Sequence, residues 1–171
     1  MTSKVIVRQA ELPQDKATID KLCWDYRDAL LELEGVYGRA VEQTFPPDVW
    51  QSMLDSLPRL HSRPKGAILL AERSGEAVGC GMIHPLSVDD AEIKRVYVAT
   101  GARGLGLGEM LTRALVEQAR TNGYQRILMD TTKSQTAAAR LYEKVGFKER
   151  GSYAAVPATL EGLLLFFELE L

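Results

Sequence analysis

A glycine-rich segment between a predicted strand and a predicted helix is the strongest constraint on how this chain folds. Residues 96–98 end the strand, and three alternating glycines, Gly104, Gly106 and Gly108, lead into the helix. Glycines in such a turn leave backbone N–H groups uncovered, and the start of a helix favours negative charge. Arg103 adds a cation beside them. The segment therefore predicts a binding site for a phosphate or a pyrophosphate.

The spacing of this segment narrows the choice of anion. No Gly-Lys-Ser/Thr follows it, as a nucleotide P-loop would require. It also departs from the dinucleotide fingerprint, because the third glycine comes one residue early and Glu109 takes its place. A glycine-rich turn that binds no ligand remains the alternative.

The rest of the chain alternates between strand and helix patterns. Apolar spacing and turn residues predict strands at residues 4–10, 67–72, 77–84, 91–98, 125–131, 147–156 and 163–171. They predict helices at residues 14–34, 48–57 with Asp48 as N-cap, 106–121 and 135–145, and a loop at 35–47. This order indicates an α/β or α+β sandwich, and the length suits one domain over residues 1–171.

Composition limits the partners and the compartment. The formal net charge of -2 gives no overall field to attract nucleic acid. No apolar run is long enough to span a membrane, and no signal peptide is visible, so we expect a cytoplasmic protein. Cys23 and Cys80 lie in apolar segments and are expected as buried structural thiols. No cluster has metal-ligand spacing, so no metal is predicted.

A second segment, near the C-terminus, strengthens the indication of function that the glycine-rich segment gives. Residues 137–147 read Ala-Ala-Ala-Arg-Leu-Tyr-Glu-Lys-Val-Gly-Phe. The pattern Arg-x-x-Gly-x-Gly after a strand resembles the acetyl-CoA loop of the GNAT superfamily, and Leu-Tyr-x-x-x-Gly-Phe resembles its second signature. The resemblance runs from about residue 67 to the C-terminus. It implies a mixed, mostly antiparallel sheet of about seven strands flanked by about four helices.

The resemblance also implies acetyl-CoA as co-substrate and a set of residues that bind it. These are Val96, Tyr97, Val98, Arg103, Gly104, Leu105, Gly106, Leu107, Gly108, Glu109, Gln135 and Tyr142. Tyr142 would protonate the departing thiolate, although a tyrosine on an apolar helix face can also be a core residue. Many family members have asparagine where Gln135 stands, and glutamine offers the same amide on a longer side chain.

In this family an amine attacks the thioester directly, so an ammonium acceptor must first lose a proton. Glu92 is the first candidate for the general base, acting through water. The alternative is a surface carboxylate paired with Lys94 or Arg95. His84 is the second candidate, although a lone histidine before a proline is often structural.

The acceptor is expected to be a primary amine of a small molecule or of a protein. Glu34, Tyr26 and Tyr153 are expected to line its pocket, and Glu34, Glu92 and Asp130 together would suit a cationic amine. The alternative function is an acyl-CoA-binding sensor or scaffold without turnover. The apolar residues 163–167 could serve the core or the interface of a homodimer.

Overall fold

The computed structural model describes residues 4–171 and forms one mixed sheet of seven strands in the order β1-β2-β3-β4-β5-β7-β6. The strands are β1 Val5–Gln9, β2 Ala67–Arg73, β3 Glu76–Pro85, β4 Asp90–Val98, β5 Arg126–Thr132, β6 Lys148–Arg150 and β7 Leu164–Glu170. The helices are α1 Lys16–Leu31, α2 Tyr37–Thr44, α3 Pro47–Leu60, α4 Leu107–Thr121 and α5 Thr136–Val145. Of the strand pairs, β4 with β5 is parallel and the others are antiparallel. The predicted mixed, mostly antiparallel sheet is confirmed.

The sheet separates two apolar cores because successive strand residues face opposite sides. Leu69 and Ile83 belong to the core beneath α4 and α5, whereas Leu70 and Met82 belong to the core beneath α1 and α3. Apolar side chains at helical spacing form the other half of each core, as the periodicity of the sequence predicted. Within residues 4–171, no helix is both long and apolar enough to cross a membrane.

The region between α1 and α3 differs from the prediction. A helix, α2, occupies most of the segment predicted as a loop, and α1 ends at Leu31 rather than at residue 34. Gly38 lies inside α2, where a Cβ atom would collide with the backbone carbonyl of Leu31. This glycine therefore permits close packing of α2 against α1 and does not break the helix. The prediction of Asp48 as N-cap is also wrong, because α3 begins one residue earlier, at Pro47. The fixed φ angle of proline suits the first position of a helix.

The strand predicted over residues 147–156 is much shorter than expected. β6 covers Lys148–Arg150 and pairs with three residues of β7. The chain leaves the sheet at Gly151, and the next stretch runs without a strand to a 3₁₀ turn at Ala158–Leu160. Tyr153 consequently lies outside the sheet, and its side chain reaches β4.

The parallel pair β4 and β5 separates soon after it forms. Pairing joins Asp90, Ala91 and Glu92 to residues 126–128 and then stops. Beyond that point β4 pairs with β3, and β5 pairs with β7. The two facing edges therefore diverge and leave a gap within the sheet, with unpaired backbone groups on either side.

Candidate active site

A cavity of about 400 Å³ occupies the gap between β4 and β5. Val96 and Thr131 line it from the two diverging strands, and Tyr142 lines it from α5. The helical region supplies an aromatic wall that includes Tyr26 and Trp50. The cavity therefore has a backbone-lined part within the sheet and an apolar part beneath α1 and α3.

The glycine-rich segment follows the end of β4 and forms the start of α4. Gly104 and Gly106 have φ angles of 81° and 76°, which favour glycine. Gly106 is the N-cap and provides no side-chain cap, so the first N–H groups of the helix are left for an external acceptor. Arg103 and Leu105 are exposed, whereas the side chain of Leu107 is buried and anchors the turn. The arrangement suits an anion at the helix start.

The charges near this turn are largely paired with one another. Glu109 accepts hydrogen bonds from Lys144 at 2.6 Å and from Arg113 at 3.0 Å, and these partners lower its pKa. Arg103 Nε donates to the backbone carbonyl of Val98 at 3.2 Å, which holds the side chain near the end of β4. Because Lys144 and Arg113 balance the negative charge of Glu109, this carboxylate does not repel an anion at the turn as a free carboxylate would.

Tyr142 is buried and is also one of the residues that line the cavity. The side chain is 5% exposed, and the ring packs edge-on against Phe147 and Phe167. Its hydroxyl makes no hydrogen bond to any residue in the range 4–171, and burial raises its pKa. The phenol therefore keeps its proton at neutral pH and has a donor to spare.

Gln135 stands at the N-cap of α5 and also lines the cavity. Its Oε1 accepts hydrogen bonds from Thr131 Oγ1 at 3.0 Å and from the backbone N–H of Thr132 at 3.2 Å. Its amide nitrogen has no partner among residues 4–171. The oxygen thus fixes the side chain, and the NH₂ group remains as a donor.

A bulge shapes the part of β4 that faces the gap. Cys80 pairs with Tyr97, but Met82 pairs with Lys94, so β4 carries one extra residue. The ring of Tyr97 turns away into the core and packs 5.6 Å from that of Tyr26. Any contact between Tyr97 and a cofactor would therefore involve its backbone.

Glu92 lies at the centre of a buried polar network and is not on the surface. Its side chain is 9% exposed, with Oε1 2.9 Å from Nε2 of His84. Its Oε2 accepts a hydrogen bond from the Tyr153 hydroxyl at 2.5 Å and lies 3.3 Å from Lys94 Nζ. Burial acts to raise the pKa of Glu92, but His84, Lys94 and Tyr153 outweigh it and lower the pKa to about 2. The carboxylate is therefore charged at neutral pH.

Two carboxylates share one ammonium in this network. Lys94 Nζ donates to Asp130 at 2.9 Å and lies close to Glu92. Burial acts to lower the pKa of Lys94, but the two carboxylates raise it overall. On this wall of the cavity two carboxylates therefore face one lysine ammonium, which suits a cationic amine.

The sequence did not indicate the contribution of His61. Its ring packs edge-on 5.3 Å from that of His84, behind the network, and its Nδ1 lies 3.0 Å from the carbonyl of Ile83. Burial lowers its pKa to about 4, so it is neutral at pH 7. Glu34 was expected in the pocket, but it is exposed and does not line the cavity.

The two cysteines are buried, as predicted. Cys80 Sγ lies 3.5 Å from the backbone carbonyl of Arg95, and its contact with Cys23, together with burial, raises its pKa. A thiol in this state is a poor nucleophile. Among residues 4–171, no group of three or more His, Cys, Asp and Glu side chains is arranged to hold a metal ion.

Comparison with known proteins identifies relatives among the acetyltransferases. The chain is 30% identical to an uncharacterised N-acetyltransferase of Schizosaccharomyces pombe over 88% of this chain and 87% of that protein. It is 32% identical to an IAA acetyltransferase of Azospirillum brasilense over 83% of this chain and 90% of that one. A Salmonella typhimurium acetyltransferase, solved with acetyl-CoA, superposes with a TM-score of 0.69 at 22% identity over 97% and 93% of the two chains.

The model of the acetyltransferase (GNAT) family matches residues 27–147, a span from within α1 to the second residue after α5. It therefore includes the glycine-rich turn, the diverging strands and Tyr142. The superposition on the Salmonella typhimurium structure supports the fold independently of the sequence. The chain belongs to the GNAT family and is an acetyltransferase that uses acetyl-CoA.

Proposed function

We propose that this chain transfers the acetyl group of acetyl-CoA to a primary amine by direct attack. The observation that carries the proposal is the position of Tyr142, whose hydroxyl has no partner among residues 4–171 and which lines the same cavity as Glu92 and Asp130. A proton donor and two carboxylates that attract an ammonium group thus line the same cavity. Acyl transfer to an amine needs both.

The glycine-rich turn and the free strand edge would hold the cofactor. The uncovered N–H groups at the start of α4, with Arg103, would bind the pyrophosphate. The unpaired edge of β4 would accept the amide-containing arm in the manner of an added strand. The amide NH₂ of Gln135 supplies one more donor inside the gap.

Backbone N–H groups near residues 96–98 would polarise the thioester carbonyl as oxyanion donors. The amine nitrogen then attacks the carbonyl carbon, and the carbon–sulfur bond breaks. Tyr142 gives its proton to the sulfur, and the proton that the amine nitrogen loses after attack returns to the Tyr142 phenolate. No acyl-enzyme is needed, in keeping with the buried and unactivated Cys80.

Glu92 would take the first proton from an ammonium acceptor. Since its pKa is about 2, it is a weak base alone and holds the proton only briefly. His84 contacts Glu92 from behind and does not itself line the cavity. We therefore assign proton removal to the pair, with Glu92 facing the acceptor and Nε2 of His84 taking the proton from its carboxylate.

The test is thiol release from acetyl-CoA over a panel of primary amines, with the acetylated product identified by its mass. The proposal expects release that depends on the amine and matches product formation one to one. Binding of acetyl-CoA by calorimetry without release on any amine would instead support a sensor or scaffold.

A further inference from the structure

Arg95 is held at the bulge of β4 in an unusual backbone conformation. Its φ angle is 53°, in the left-handed region that residues with a Cβ atom seldom adopt. Both Lys94 and Arg95 line the cavity, although successive residues of a regular strand face opposite sides. The guanidinium carbon lies 5.8 Å from the centre of the Trp50 ring, in cation–π range. The bulge thus aims this side chain towards the aromatic wall.

The Arg95 guanidinium has no counter-ion within residues 4–171. No salt bridge and no side-chain hydrogen bond involves it there, and its Nε is buried without a partner. By contrast, the neighbouring Lys94 contacts two carboxylates. A half-buried charge without a partner is costly, and the cost is recovered when a ligand brings the opposite charge.

The charges around the cavity are therefore separated by sign. One wall has the two carboxylates of Glu92 and Asp130, which share the single ammonium of Lys94. The wall beside Trp50 has the positive charge of Arg95. Aromatic and apolar side chains, including Tyr26 and those of Phe45 and Met53, make up the rest of the helical wall. The cavity matches a small zwitterion that has an apolar side chain.

We propose that the acceptor is an amino acid with an apolar side chain, whose carboxylate is bound by Arg95. Its amino group would lie towards Glu92 and Asp130, and its side chain would lie against Trp50 and Tyr26. The planar guanidinium can donate two parallel hydrogen bonds to a carboxylate. This inference rests on the proposed function, because it names the substrate class of the same site.

The test compares leucine, methionine, phenylalanine and tryptophan with their α-amides as acceptors. Each amide keeps the amine and the side chain and removes the carboxylate charge. We expect kcat/KM to be roughly ten- to a hundredfold higher for the best amino acid than for its amide, the range for hydrogen bonds between charged groups. Arg95→Gln should remove this preference through KM for the amino acid, leaving the amide and acetyl-CoA little affected.

If Arg95→Gln acetylates the amide, the variant is folded. If the variant does not fold, the comparison of amino acids with their amides on the wild-type protein still tests whether the site prefers a carboxylate. Equal rates on acid and amide, or a preference that survives in Arg95→Gln, would overturn the role of Arg95 while leaving amine acetylation intact. Thiol release with none of the acids, the amides or simple primary amines would overturn the proposed function as well.

Discussion

Replacing Glu92 with glutamine should change how the stability of the fold depends on pH. The network lowers the pKa of Glu92 from 4.5 to about 2, and each unit between folded and unfolded values is worth about 1.4 kcal/mol. The charged carboxylate thus contributes about 3 kcal/mol near neutral pH. A lowered pKa means that this contribution is present above about pH 5 and is lost as the pH falls towards 2. About 2 kcal/mol of it should disappear between pH 5 and pH 3.

The assay is urea unfolding of wild type and Glu92→Gln at pH 5, 4 and 3. Glutamine does not titrate, so the stability advantage of wild type should shrink by about 2 kcal/mol across this range. Glu117→Gln is the matched control, because it removes an exposed carboxylate whose surface ion pair contributes little. An advantage that stays constant from pH 5 to pH 3 would refute the account of the network.

Two further predictions concern the cofactor turn and the proton. Arg103→Ala should weaken acetyl-CoA binding by roughly tenfold in calorimetry, and adding Gly106→Val should weaken it further, whereas Arg120→Ala at the far end of α4 should not. Unchanged affinity in a folded double variant would remove the turn from the cofactor site. Glu92→Gln should lower kcat/KM most at neutral pH and recover in part at higher pH, where the amine arrives neutral. Parallel pH profiles for the two proteins would remove Glu92 from the base role.

Local signals were sufficient for the glycine-rich turn and most of the sheet. A strand, a turn of glycines and an amphipathic helix follow one another within residues 90–121, so the sequence itself brings them together. Local signals predicted a loop around Gly38, but this glycine lies inside a helix and allows close packing between α1 and α2. Nothing local distinguishes that role from a helix break.

The polar network was only partly predictable because its members are far apart in sequence. Glu92 and Tyr153 are 61 positions apart and meet because the chain leaves the sheet after β6. The sequence suggested a surface carboxylate beside Lys94 as one alternative, but burial and three partners of Glu92 depend on the tertiary fold. The position of Arg95 in the cavity lining similarly depends on a bulge in β4, and no residue type in the sequence predicts that bulge.

The central claim is tested most directly by the turnover of Tyr142→Phe with acetyl-CoA and an amine that the wild type acetylates. Phenylalanine keeps the ring against Phe147 and Phe167 and removes the proton donor. We expect kcat to fall by roughly ten- to a thousandfold, with KM for acetyl-CoA little changed. A wild-type kcat in the folded variant would contradict the account and leave Tyr142 a packing residue.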